Sequence, residues 1–232
     1  MKNILLCLSL LYSLAAFGQD NKFKFGVLIN PNLSGNFLSN DGSVPSVVSN
    51  LFDDLEDQTL GYYGYLFTQY PINSRFKIQA GIGYSNSGYA GKKKKVEFGQ
   101  SEPGQPEYAR FFYKHHDIML PVLLRYNISR RPNKFYLIGG VTPQIKISRI
   151  TTAKLWYPSG EITTSKSDDN GTGFRKVNAN GTIGIGYDMK LSGKLNLFVQ
   201  PTFDCNLLGT SRSASLNRRI YTIGLNLGLI FA

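Results

Sequence analysis

The sequence predicts an all-β fold, an eight-stranded antiparallel transmembrane β-barrel of the outer-membrane type, with long extracellular loops and short periplasmic turns. Three observations lead to this prediction. Apolar and polar residues alternate along eight segments, the connections between these segments are sorted by length, and the N-terminus carries an export signal. A period of two indicates strands, because successive side chains of a strand point to opposite faces.

The N-terminus has the three parts of a secretory signal peptide. Lys2 supplies the positive charge, residues 4–14 form an apolar stretch too short to span a bilayer, and the small residues Ala16 and Gly18 precede a cleavage point. A buried N-terminal helix is the alternative. We therefore expect residues 1–18 to be a signal peptide and residues 19–232 to form the outer-membrane β-barrel domain.

Composition fits an exported barrel. The 24 glycines and 13% aromatic residues suit strands and turns, and a mean hydropathy of −0.18 does not oppose a barrel, since half of each barrel strand is polar. Cys205 is the one cysteine after residue 18, so no internal disulfide is expected in the exported chain. This is unusual for a small secreted domain but ordinary for a protein of the bacterial outer membrane.

The net charge of +11, which becomes +10 without Lys2, indicates anionic neighbours. Export argues against nucleic acid as a partner and favours the phosphate-rich head groups of a lipopolysaccharide-bearing membrane. We therefore expect the bacterial outer membrane as the location.

Eight strands are predicted, each longer than the usual globular strand and long enough to cross a bilayer at a barrel tilt. They cover about 23–36, 58–70, 75–89, 111–126, 134–150, 174–190, 194–209 and 218–231. The connections 37–57, 90–110 and 151–173 are long and polar, a fourth at 210–217 is shorter, and Pro71–Ser74, Asn127–Asn133 and Leu191–Gly193 are short turns. An even strand number with loops sorted in this way is typical of outer-membrane barrels and places both termini on the periplasmic side.

The last strand illustrates the two faces. One face is large and apolar, and the other is small or polar; the apolar row is Tyr221, Ile223, Leu225, Leu227 and Leu229. Alternation alone also fits a soluble sandwich, but the sorted loops and the signal peptide favour an apolar face turned to lipid. In the segment 58–70 aromatic residues occupy both faces, so its faces cannot be assigned. Aromatic residues near the strand ends predict interfacial girdles.

Two features stand out in the loops. Val47, Leu51 and Leu55 recur at helical spacing after Pro45, which predicts a short amphipathic helix within 37–57. In the next loop Lys92, Lys93, Lys94 and Lys95 form a run that is either a solvated mobile loop or a contact for lipopolysaccharide phosphates. The acidic residues of 53–57 are a further candidate for a divalent cation, although they lack the spacing of a calcium loop.

Four segments resemble a known family. They are HHDIMLPVLLRYN (His115–Asn127), KFYLIGGVTPQI (Lys134–Ile145), GTIGIGYDMKL (Gly181–Leu191) and LNLGLIF (Leu225–Phe231). With these segments the chain resembles the PorT-like outer-membrane β-barrel family of porin-family proteins over nearly all of residues 20–232. The resemblance implies a closed antiparallel barrel of eight strands. Some relatives take part in protein secretion across the outer membrane, but no segment ties this chain to that subgroup.

An eight-stranded barrel has an interior just wide enough for side chains to fill. Charged residues at inward positions predict a salt-bridge and amide network, with a proton or small-ion path as the alternative. The predicted members are Lys24, Lys77, Asp117, Arg125, Lys146, Asp188 and Asp204. By resemblance to outer-membrane barrels, Phe231 is expected to be the aromatic residue of the C-terminal assembly signal.

No catalytic or metal-binding motif is recognised. His115 and His116 are adjacent, so a strand points them to opposite faces, and no HExxH or GxSxG segment occurs. We expect no catalytic residue, cofactor or metal, and a monomer that acts as a non-enzymatic scaffold or binding protein through its extracellular loops. The expected partners are outer-membrane lipid or lipopolysaccharide, or another envelope protein. Alternatives are a narrow channel, a lipid-modifying enzyme with a His–Ser site at the outer rim, and a soluble lipocalin-like barrel.

Overall fold

The computed structural model describes residues 23–97, 104–128, 135–168, 173–212 and 215–231. The expected signal peptide, residues 1–18, lies outside the described residues. The elements are β1 (Lys24–Asn40), α1 (Ser46–Leu55), β2 (Glu56–Asp57), β3 (Thr59–Pro71), β4 (Phe76–Gly91), β5 (Lys94–Lys95), β6 (Tyr108–Met119), β7 (Val122–Asn127), β8 (Phe135–Trp156), β9 (Ile162–Asp168), β10 (Val177–Lys190), β11 (Leu195–Asn206) and β12 (Leu216–Phe231).

The long strands close into a ring. Its order is β1, β3, β4, β6 with β7, β8, β10, β11 and β12, and β12 pairs back onto β1, with every pairing antiparallel. Because β6 and β7 share one position, the ring has eight positions, which confirms the predicted eight-stranded antiparallel barrel. Phe25 lies opposite Phe231 where the ring closes. Closure leaves the ring without a free edge.

The fourth position of the ring is interrupted. A continuous strand over 111–126 was predicted, and this is wrong at Leu120–Pro121, where β6 ends and β7 begins. Proline has no N–H to donate to a neighbouring strand, so the pairing breaks there. The Pro121 carbonyl still accepts a hydrogen bond from the Gly81 N–H at 3.0 Å, and both β6 and β7 remain paired with β4 and β8.

The connections are sorted by length as predicted. At one end, here the turn end, short turns join β3 to β4 and β10 to β11 through hydrogen bonds onto Phe76 and Leu195. The opposite end, here the loop end, carries α1, β2, β5 and β9. The helix predicted within 37–57 is confirmed as α1. The interpretation of 151–173 as a polar loop needs correction, because β8 continues to Trp156 and pairs with β9 along 150–156. β-branched residues on both segments favour this extension.

The strand faces differ as the alternation predicts. In β1, Ile29 and Leu33 are exposed on the outside at 62% and 46%, whereas Asn30 between them is fully buried. The structure also resolves the segment whose faces could not be assigned. In β3, Tyr65 and its neighbours at odd positions point inward, and Leu66 points outward with 62% exposure.

Aromatic pairs mark two levels of the outer surface. At the turn end Phe23 contacts Tyr70, Phe76 contacts Tyr126, and Phe135 contacts Tyr187. Nearer the loop end Phe37 stacks on Tyr221, and Tyr62 contacts Tyr84. The strand segments between the two levels have the length that a tilted barrel strand needs to cross a bilayer. Among the described residues no helix is both long and apolar enough to cross a membrane.

Candidate functional site: the barrel interior and the loop-end cleft

A buried ion pair lies inside the barrel near the turn end. Arg125, which is 1% exposed, donates through both terminal nitrogens to Asp188, with Nη1 to Oδ1 at 3.1 Å. Its Nε donates to Asn127 at 3.2 Å, and its guanidinium lies 3.5 Å from the centre of the Tyr136 ring. Lys77 is directly opposite Arg125 on the neighbouring strand. The Asp188 carboxylate therefore balances positive charge at the level where Arg125 and Lys77 lie opposite each other.

Aromatic and aliphatic side chains fill the barrel next to this ion pair. The Phe67 and Phe198 rings lie edge to face with centroids 5.9 Å apart, and both are buried. The cluster comprises Leu28, Tyr63, Tyr65, Phe67, Met119, Phe198 and Ile230. The alternation predicted a small or polar inner face, and this apolar and aromatic cluster corrects that prediction at one level of the barrel. A methyl group added at Gly26 or Gly228 would clash with Phe67 or Phe198, which shows that inward glycines make room for these rings.

Asp204 occupies the middle of the interior, and among the residues that the structure describes no cation forms an ion pair with it. Its carboxylate accepts hydrogen bonds from the hydroxyls of Thr182 at 2.6 Å, Thr222 at 3.1 Å and Tyr63 at 3.4 Å. The side-chain amides of Asn30 and Asn226, which are 2.7 Å apart, adjoin this group through Thr202. Hydroxyl donors thus satisfy this buried carboxylate.

Asp117 and Lys146 lie closer to the loop end, directly opposite each other on β6 and β8. With His115 and Ser87 they border a cavity of about 20 Å³. Such a cavity holds one or two waters but not an ester substrate. The predicted interior network is therefore distributed over separate groups, with Arg125 and Asp188 at one level, Asp204 at the next, and Asp117 with Lys146 at a third. Lys24, at the start of β1, is half-buried.

The two histidines point to opposite faces. His115 is 2% exposed inside the barrel, and the His116 ring contacts the Tyr84 hydroxyl on the outer face. No group of three or more His, Cys, Asp or Glu side chains that could hold a metal ion is found in the described parts of the chain. Two acids of the first loop are bound by arginines, since Glu56 pairs with Arg218 and Asp57 with Arg110.

A cleft of about 580 Å³ opens at the loop end between α1 and the ends of β4 and β6. We call it the loop-end cleft. Its lining includes five cationic and two acidic residues. They are Lys92, Lys94, Lys95, Arg149 and Arg218, with Glu56 and Glu97. The remaining lining is mostly apolar or aromatic, and comprises Phe52, Leu55, Tyr89, Gly91, Val96, Ala109, Phe111 and Tyr113. The cleft therefore combines an apolar surface with an excess of positive charge.

Two tyrosines and two arginines form one side of the cleft. Tyr89 and Tyr113 stack with centroids 4.8 Å apart, and Arg149 Nη2 donates to the Tyr89 hydroxyl at 3.5 Å. Arg218 Nε donates to Glu56 Oε1 at 2.7 Å, and its guanidinium lies 5.4 Å from the Tyr89 ring centre. Tyr89 lies beyond the aromatic level of Tyr84, outside the membrane-spanning segment. Burial raises the pKa of Tyr89 to about 12, so its hydroxyl stays protonated at neutral pH.

The lysine run borders this cleft rather than standing apart from it. Lys92, Lys94 and Lys95 are exposed along the lining, and the backbone of Lys94 and Lys95 pairs with β6. Lys93 turns elsewhere, with its Nζ 4.5 Å from the Tyr108 ring centre and 4.4 Å from that of Trp156. The sequence singled out these lysines, but the aromatic and arginine side of the cleft depends on strand ends that only the fold brings together.

The chain matches the model of a family described as outer membrane protein beta-barrel domain over residues 17–210. The chain belongs to this family. It is therefore a protein of the bacterial outer membrane, and its exposed apolar face lies against lipid. No curated protein matches the chain in sequence.

Several solved structures are similar to this outer-membrane barrel. They include Ail of Yersinia pestis in complex with the heparin analogue sucrose octasulfate, at 9% identity over 90% of this chain and 99% of that one, with a TM-score of 0.39. Neisserial surface protein A has 11% identity over 88% and 95%, with a TM-score of 0.37. The outer membrane protease OmpT of Escherichia coli has 10% identity over 92% and 97%, with a TM-score of 0.40.

Proposed function

We propose that this outer-membrane barrel is a non-enzymatic binding protein that acts through its extracellular loops. The observation that carries the proposal is the contrast between the loop end of the barrel and its interior. The loop end presents a ligand-sized cleft with a cationic rim, whereas side chains fill the barrel below it. A ligand held at the loop end would remain at the cell surface.

The filled interior favours binding over conduction. Two cavities below the cleft, among the described residues, measure about 20 Å³ and about 10 Å³; the first has room for one or two waters and the second for at most one. The Phe67–Phe198 contact and the Arg125–Asp188 pair lie in the remaining cross-section. A continuous water path would require these side chains to move apart.

Lipopolysaccharide is the partner that we propose for the lysine run. Lys92, Lys94 and Lys95 are exposed at the extracellular end, and none of them forms an ion pair within the described residues. Clustered ammonium groups attract phosphate groups, and Lys93 adds a fourth charge beside Trp156. Because the ring closes within one chain, we propose a monomer, with another envelope protein as a second class of partner.

We infer in addition that the chain belongs to the PorT-like branch of the family. The sequence of the segment His115–Asn127 supports this inference, since it resembles the central strand of that branch. A secretion role is not included in the proposal, because no segment of the chain indicates it.

Lipopolysaccharide retention tests the proposal. The variant Lys92→Ser/Lys93→Ser/Lys94→Ser/Lys95→Ser is purified from intact envelopes at low salt, and its bound lipopolysaccharide is compared with that of the wild type. We expect retention to fall, because the variant lacks the four ammonium groups, and at low salt their attraction for phosphate in the wild type is screened little. Lys190→Ser/Lys194→Ser at the turn end is the control and should retain as much as the wild type. Equal retention by all three proteins would contradict the proposal.

An assay for lipid modification separates binding from catalysis. Purified wild-type protein is incubated with lipid A, and deacylation and palmitoylation are followed by mass spectrometry. We expect unmodified lipid A, since His115 is buried beside a cavity of about 20 Å³. Turnover that is lost in His116→Ala would instead indicate an enzyme with a site at the outer surface.

A further inference from the structure

We propose that the loop-end cleft binds a small, water-soluble organic anion with an aromatic body, such as an aromatic carboxylate or sulfonate. This inference rests on the proposed binding function, but it names a ligand different from lipopolysaccharide. The lysine run would contact envelope phosphates at the rim, and it would also contact the acidic group of this ligand, whose aromatic body would enter the cleft itself.

The size and walls of the cleft suit such a ligand. Its volume of about 580 Å³ lies within the range of small-molecule sites, roughly 300–1,000 Å³. Phe52 of α1 and Phe111 of β6 both line it and remain 38% and 41% exposed. Large apolar side chains that stay exposed within a concave site indicate a binding surface. Aromatic walls favour an aromatic ligand, since offset stacking and edge contacts add to the burial of area.

The charge of the cleft selects an anion. Five cationic lining residues stand against two carboxylates, a formal excess of +3. Glu56 is already bound by Arg218 and by Asn36, whose Nδ2 donates to it at 2.5 Å. The ammonium groups of Lys92, Lys94 and Lys95 have no carboxylate partner among the residues that the structure describes. A ligand anion would supply that partner at the open rim.

The position of the cleft favours a ligand from the medium over a membrane lipid. Ala109, Phe111 and Tyr113 occupy every second position of β6, in phase with the buried inward residues His115 and Asp117. The cleft is therefore the mouth of the barrel, beyond the aromatic level of Tyr84. A lipid in the outer leaflet would have to cross the strand wall to reach it.

Calorimetric titration of the full-length protein in lipid nanodiscs tests this inference. The probe is 2-naphthoate, with 2-naphthamide as its neutral analogue and empty nanodiscs as the reference. We expect saturable binding of 2-naphthoate. The affinity for 2-naphthamide should be about tenfold or more lower, and added salt should weaken the binding of 2-naphthoate. Equal binding of the two probes, or heats equal to those of empty nanodiscs, would overturn the inference.

A variant that fills the cleft locates the site. Ala109→Trp places a large side chain on the lining without removing a cation, and it should abolish 2-naphthoate binding. Ala179→Trp on the lipid face of β10 is the matched control and should bind normally. If Ala109→Trp does not fold, as judged by heat-modifiable migration, Lys94→Gln/Lys95→Gln replaces it and should weaken binding. Unchanged binding in the folded cleft variant would refute the site.

The two proposals fail separately. Ala109→Trp keeps all four lysines, so its lipopolysaccharide retention should equal that of the wild type while 2-naphthoate binding is lost. Saturable 2-naphthoate binding by a wild type that retains no lipopolysaccharide would remove the lipopolysaccharide proposal and leave the cleft. Lipopolysaccharide retention without 2-naphthoate binding would remove the cleft ligand and leave the lysine run.

Discussion

Replacing Asp188 by asparagine should destabilise the barrel by leaving the Arg125 guanidinium without its counter-charge. The Arg125 side chain is 2% exposed and that of Asp188 25% exposed, so water can replace little of the lost interaction. Breaking a buried ion pair by removing one partner costs about 3–5 kcal/mol, and the partial exposure of Asp188 favours the lower end, about 3 kcal/mol. Arg125→Ala should cost more, since it also removes the contact with Tyr136 at 3.5 Å, worth up to about 2 kcal/mol.

Equilibrium unfolding in urea, with the protein in lipid vesicles, measures these free energies. The matched control is Asp57→Asn, which breaks the ion pair with Arg110 at 3.2 Å, where the side chains are 30% and 51% exposed. A surface pair of this kind contributes about 0–1 kcal/mol. If Asp188→Asn lowers the free energy of unfolding no more than Asp57→Asn, the interior is wetter and less tightly paired than the contacts imply.

Three further predictions concern the interior and the end of the chain. Asp204→Ala should lower the free energy of unfolding by about 1–3 kcal/mol or more, because buried hydroxyls lose their acceptor, and urea unfolding measures the change. Asp117→Ala should lower the melting temperature in detergent, since the change leaves Lys146 opposite an apolar side chain; an unchanged value would count against a structural role. Deleting Phe231–Ala232 should impair membrane insertion, since Phe231 pairs with Phe25 and Leu195 at ring closure. A normal heat-modifiable barrel in the outer membrane after that deletion would show that Phe231 is dispensable.

The strand pattern was predictable because lipid demands one apolar face from every barrel strand. In β12 the alternation from Tyr221 onward indicates both the strand and its outward row. The sorting of the connections by length was also visible in the sequence. Consecutive strands that cross the membrane up and down leave every second connection at the same end. The α1 helix was predictable from the spacing of Val47, Leu51 and Leu55.

The inner surface was less predictable, because alternation gives the face of a residue but not its neighbours across the barrel. Because β3 has aromatic residues on both faces, the sequence did not show which of them point inward, and the structure places Tyr65 and Phe67 in the interior. The glycines that accept these rings, such as Gly26, are far away in sequence. Likewise, Tyr89 and Arg149 meet only because β4 and β8 both pair with β6, so the sequence indicated the lysine run but not the cleft beside it.

A conductance measurement in planar lipid bilayers tests the central claim most directly, namely that the barrel is filled and the protein acts at its loop end. Purified wild-type protein is reconstituted beside a water-filled porin as the positive control, and single-channel currents are recorded at high salt. The packed Phe67–Phe198 contact and the Arg125–Asp188 pair predict no stable unitary current. A steady unitary current that scales with salt concentration would contradict the account and favour a narrow channel.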